Sequence, residues 1–80
     1  MTWWVYLLRC GDDTLYCGIA LDVEARLQQH QDGKGAKYTR GRAPLAVVFR
    51  EAWATKAAAL RRERLIKRMS RSAKLRLCGL

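Results

Sequence analysis

Two apolar runs of strand length, Trp3 to Cys10 (WWVYLLRC) and Leu15 to Ala20 (LYCGIA), stand on either side of Gly11-Asp12-Asp13-Thr14. The runs are rich in aromatic and aliphatic side chains that suit a pleated, half-buried surface. The four residues between them are turn formers. The pattern predicts an antiparallel hairpin at the start of the chain.

After the hairpin the periodicity changes. Asp22 is placed to cap a helix running to about Gln31, with Gly33 ending it. At 3.6 residues per turn, Val23, Arg26, Leu27 and His30 share an arc of about 100°. The face that meets the sheet thus carries a guanidinium and an imidazole beside two aliphatic anchors. Residues 32–44 contain three glycines, a proline and the bases Lys34, Lys37, Arg40 and Arg42, and read as a basic loop. Leu45 to Trp53 reads as a third strand. Thr55 is placed to cap a helix to about Met69, and Ser70 a short last helix. On the longer helix Ala58, Ala59, Leu65, Ile66 and Met69 form the apolar stripe. Glu63 lies at its edge, and Arg62 falls inside it without an evident reason. The expected architecture is α+β, a three-stranded antiparallel sheet flanked by helices in the order β-β-α-β-α-α.

Length and charge narrow the function. Eighty residues suffice for one domain, 1–80, which buries roughly 60–65% of the surface of its unfolded chain. No apolar run approaches the ~20 residues that span a bilayer. The N-terminus lacks the basic and apolar regions of a secretion signal. Net charge is +9, and all of it lies in residues 41–80: eleven bases and two acids, against five of each in residues 1–40. So lopsided a field points to a polyanion, nucleic acid before membrane, unless it only keeps the surface solvated. The basic helix lacks the bulky aromatic face of a membrane-surface helix. Cys10, Cys17 and Cys78 form no CxxC pair, which favours small core residues in a reducing cytoplasm over a disulfide framework or zinc site.

Cutting a phosphodiester requires charge stabilisation at the phosphate, a base for water and usually a carboxylate-held divalent ion. Arg26, His30 or a tyrosine, and Glu63 supply these types. Each also has an ordinary structural reading. Arg26 also reads as a solvated helix residue, His30 as a helix C-terminal residue facing the dipole, and Glu63 as a partner for Lys67 at i, i+4.

Taken in order, these residues resemble a known family. Trp4-Val5-Tyr6 in the first strand and Tyr16-Cys17-Gly18 in the second are similar to the paired triplets of the GIY-YIG endonucleases. Both tyrosines and the second glycine match, whereas the first glycine and both isoleucines are replaced. Arg26 and His30 stand where the family places an arginine and a histidine or tyrosine on the first helix. Glu63 stands where it places a glutamate. The likeness runs from about Trp3 to Met69 and is closest to small stand-alone bacterial members. The family's frequent asparagine near the domain end has no counterpart, because the chain contains no asparagine.

The resemblance implies a metal-dependent nuclease. Arg26 would hold the scissile phosphate, and Glu63 one Mg²⁺ or Mn²⁺. Tyr6, with its phenol depressed in pKa or relayed through His30, would activate water. Tyr16 would orient water or phosphate, and Gly18 would let a helix or substrate approach the strand. Lys34, Lys37, Arg40 and Arg42 would neutralise phosphates, with Tyr38 stacking on a base. The expected partner is nucleic acid, DNA ahead of RNA, recognised by strand structure more than by sequence. The rival is a non-catalytic module that grips nucleic acid through the same basic surface. A site using both tyrosines adds a geometric requirement. Tyr6 and Tyr16 share a sheet face only if the hairpin loop is odd, or a bulge intervenes.

Overall fold

The computed structural model describes residues 1–80. Strand β1 (Trp3–Arg9) is central, with β2 (Leu15–Ala20) antiparallel on one side and β3 (Ala46–Trp53) antiparallel on the other. Helix α1 (Val23–Gln31) follows β2, and α2 (Lys56–Lys67) and α3 (Arg71–Leu77) follow β3. The α+β order is the one expected. The basic segment after α1 is not wholly irregular, since Lys37–Thr39 forms a 3₁₀ turn with Thr39 buried.

All three caps form as the sequence suggests. Asp22, Thr55 and Ser70 each accept a hydrogen bond from the backbone N–H three residues on, at 3.0, 3.1 and 3.1 Å. Such caps are worth about 1 kcal/mol each. Gly33 ends α1 with φ of +75°.

The hairpin loop has three residues. Asp13 N–H donates to the Cys10 carbonyl and Cys10 N–H to that of Thr14, both at 2.9 Å, and Asp13 sits at φ +68°. This is the tight turn followed by a left-handed residue that an odd loop requires. Asp12 Oδ1 pins it, accepting from the Thr14 hydroxyl at 2.6 Å and the Thr14 N–H at 3.2 Å. Tyr6 pairs with Gly18 and Leu8 with Tyr16, so the two tyrosines lie on one face of the sheet.

Two apolar clusters cover the two faces. Tyr6, Leu8, Cys10, Ala20, Val23 and Leu45 pack on the α1 side. Val5, Leu7, Cys17, Ala59 and Ile66 pack on the other, joined by Phe49, Met69 and Leu77. Cys10 and Cys17 are core residues on opposite faces. Arg62 has its explanation here. Its Nε donates to Glu51 Oε1 at 2.9 Å, and Trp53 Nε1 donates to the same oxygen at 2.8 Å, so a β3 carboxylate draws the arginine into the apolar stripe. No helix is long and apolar enough to cross a membrane.

Candidate active site

β2 is an edge strand, and α1 and α2 pack against it from opposite faces of the sheet. Tyr16 is the pivot. Its phenol is raised in pKa by burial first, opposed by the Arg26 charge and reinforced by that of Glu63. Arg26 comes from α1 on one face and Glu63 from α2 on the other, so Tyr16 lies in the fields of both.

Behind Tyr16 is a buried polar core. Tyr6 and His30 are 1% and 2% exposed, and Tyr6 Oη lies 2.9 Å from His30 Nε2. The Tyr16 ring meets the His30 ring edge-on at 5.2 Å. On the far side of the imidazole the Ala36 N–H donates to Nδ1 at 3.2 Å. The Thr39 hydroxyl lies 2.9 Å from both Nδ1 and the Ala36 carbonyl. A backbone N–H is a fixed donor, so Nδ1 is an acceptor. Burial first, then the Arg26 charge, lowers the His30 pKa, which keeps the ring neutral near pH 7. A neutral ring accepting at Nδ1 carries its proton on Nε2 and donates it to Tyr6.

This arrangement corrects two expectations. The Tyr6 phenol is not depressed but pushed up to about 12, by burial first and then by Tyr16, with Arg26 opposing. Nor is His30 set to take the Tyr6 proton, because Nε2 already carries one. Gly18 also serves a different end from the one expected. A Cβ there would lie 2.6 Å from Tyr6 Oη and 2.8 Å from its Cζ, so the glycine makes room for the cross-strand phenol. We expect Gly18→Ala to displace Tyr6 and cost about 1–3 kcal/mol, as overpacking does, measured by chemical denaturation.

His30 makes stability depend on pH. Its folded pKa lies below the ordinary 6.5, so the unfolded chain takes the proton first as pH falls. The stabilisation is therefore full above about pH 6.5 and is lost below it. Thermal unfolding between pH 7.5 and 5 should show a falling midpoint, and His30→Gln should flatten that slope.

Glu63 has a half-buried carboxylate, 15% exposed, with Lys67 Nζ at 3.7 Å. The ion pair read from spacing alone is thus present. No three His, Cys, Asp or Glu side chains gather anywhere to enclose a metal. One carboxylate nevertheless suits Mg²⁺, which keeps most of its waters and takes one or two carboxylates plus substrate phosphate. Arg26 Nη1 donates to Gln29 Oε1 at 2.7 Å, which steadies the guanidinium beside the tyrosines.

The basic segment divides. Tyr38 stacks on Tyr16 at 5.7 Å, and the Arg42 guanidinium lies 4.3 Å from the Tyr38 ring centre. Arg42 also pairs with Asp12 of the hairpin loop, so its charge is spent within the molecule. Lys34, Lys37 and Arg40 remain exposed cations. Sequence reasoning missed Thr39 and Ala36, whose contacts to His30 arise only when the segment folds back over α1.

Residues 2–76 match the model of the GIY-YIG catalytic domain. A UPF0213 protein of Streptococcus sanguinis is 50% identical over 72 residues, 90% of this chain and 83% of that protein. UPF0213 protein NP_0776A of Natronomonas pharaonis is 50% identical over 74 residues, 92% of this chain and 87% of its own. The solution structure of UPF0213 protein BH0048 from Bacillus halodurans superposes with a TM-score of 0.63 at 43% identity, covering 99% of this chain and 84% of that one. That of EF2693 from E. faecalis gives 0.65 at 34% identity, covering 92% and 79%.

Proposed function

Because the chain belongs to the GIY-YIG catalytic-domain family, we propose that residues 1–80 act as one nuclease domain hydrolysing phosphodiester bonds in nucleic acid, DNA ahead of RNA. The observation that supports this reading is that helices α1 and α2, on opposite faces of the sheet, carry an arginine and a glutamate whose charges both act on the Tyr16 phenol. In this reading the arginine meets the phosphate and the glutamate the ion.

In this reading Arg26 binds the scissile phosphate and offsets the charge that grows there in the transition state. Glu63 would hold one Mg²⁺ or Mn²⁺, which would supply Lewis-acid stabilisation of the phosphate and leaving oxygen. Tyr16, rather than Tyr6, meets the attacking water. No protein hydrogen bond contributes to the Tyr16 shift, and no buried polar atom lacks a partner, which supports a solvent-facing hydroxyl. Tyr6 and His30 act behind it as positioning residues. Lys34, Lys37 and Arg40 guide the backbone into the site by charge.

Arg26→Lys tests the phosphate role. It keeps the charge and loses the planar fork. Single-turnover cleavage of labelled single-stranded, duplex and flap substrates should slow at least about tenfold, or about 1.4 kcal/mol of transition-state stabilisation. An unchanged rate on every substrate would return Arg26 to a solvated helix residue.

A further inference from the structure

Beside the Tyr16 cluster lies a cleft of about 160 Å³ lined by Thr14, Leu15, Tyr38, Arg71 and Lys74. It is walled by the hairpin turn, the 3₁₀ turn and α3. Arg71 and Lys74 stand at i, i+3 and so project from neighbouring positions on one face of α3. Neither enters any of the five ion pairs of the molecule, which use Arg9, Arg42, Arg50, Arg62 and Lys67. No acid lies on α3 to neutralise them. Two uncompensated cations therefore border the same concavity as a hydroxyl and an aromatic ring.

The cleft adjoins the candidate active site through Tyr38. Tyr38 forms part of its wall and stacks on Tyr16 at 5.7 Å. A phosphate suits the two cations, and a sugar or base suits the tyrosine. The volume is below the roughly 300–1,000 Å³ of a pocket that encloses a drug-sized ligand. The cleft is open and borders a ligand without enclosing it, and a base that rests against the half-exposed Tyr38 ring must be unpaired.

Resting on the nuclease reading above, we propose that this cleft is a subsite for the backbone phosphate of an unpaired nucleotide flanking the scissile phosphate, so that the strand on that side of the cut enters single. Arg71 and Lys74 hold the phosphate, and Tyr38 and Thr14 bound the sugar and base. A fully paired strand does not enter.

The test titrates isotope-labelled protein with pentathymidylate in the absence of divalent ions, following backbone amides by NMR and affinity by fluorescence anisotropy at several salt concentrations. The amides of Thr14, Leu15 and Tyr38 should shift with the wild-type protein, a result that needs no variant. Arg71→Gln/Lys74→Gln should weaken binding about tenfold and make the log–log salt slope shallower by about 0.7 for one lost phosphate contact. Arg61→Gln/Arg64→Gln removes the same charge from exposed α2 positions that do not line the cleft. It should weaken binding much less and leave the amide shifts in place. Still amides at Thr14 and Leu15, or equal weakening by the two double variants, would overturn the subsite. A blunt duplex that shifts the same amides as strongly would overturn its restriction to unpaired strands. Failure of the nuclease reading looks different, because the wild type would then fill the cleft and never cut with Mg²⁺ or Mn²⁺.

Discussion

Glu63→Gln is expected to reduce single-turnover cleavage by at least about 10²-fold while nucleic-acid affinity and fold are retained. The amide keeps the shape of the side chain but is a poor ligand for a hard cation. Loss of one preorganised electrostatic group at a reacting centre commonly costs about 10²–10³ in rate. The fold should persist because the Lys67 partner is exposed and the pair is a single i, i+4 contact at 3.7 Å, worth about 0.3–0.5 kcal/mol. A second signature needs no turnover. Glu63 raises the Tyr16 pKa, so removing its charge should lower that pKa in a spectrophotometric titration. Near wild-type cleavage would exclude Glu63 as the ligand, and an unmoved Tyr16 titration would separate the two residues in space.

The second large effect is expected at the phenol. Positioned acid–base groups contribute about 10²–10⁴-fold, and Tyr16→Phe should lose a factor in that range. Tyr6→Phe should lose less, because the Tyr6 hydroxyl is bonded to His30 Nε2 at 2.9 Å in a buried core and acts on Tyr16 through packing. It should instead lower stability, since truncation leaves the buried His30 Nε2–H without its acceptor. If Tyr6→Phe is the more damaging to cleavage at equal stability, Tyr6 meets the water and Tyr16 is the support.

The local signals in the chain were strong ones. Asp22, Thr55 and Ser70 announce their helices by the one chemistry that satisfies free N–H groups at a helix start, and all three caps form. The odd hairpin loop could be demanded only from function. Its choice over a two-residue loop rests on Asp13 adopting a left-handed backbone, which aspartate tolerates but does not announce. What remained hidden depends on contacts distant in sequence. Arg62 is drawn inward by Glu51 on a strand eleven residues earlier. The Thr39–His30 contact needs the basic segment folded back over α1. The resemblance implies a depressed Tyr6 phenol or a relay through His30, but burial, which depends on the packing of the whole sheet face, raises it instead. The cleft of Arg71 and Lys74 exists only because α3 returns toward Thr14 and Tyr38, a placement that no periodicity within α3 encodes.

A metal-dependent site built around the edge of β2 is tested most directly by single-turnover cleavage of a labelled flap and its single-stranded arm. The pure protein is supplied in turn with Mg²⁺ or Mn²⁺ and with a chelator. Arg26→Lys/Glu63→Gln, purified identically, serves as the blank. Cleavage should appear with the ion, stop with the chelator, and be absent from the double variant while binding persists. Cleavage that survives chelation, or that the double variant performs equally well, would contradict the site.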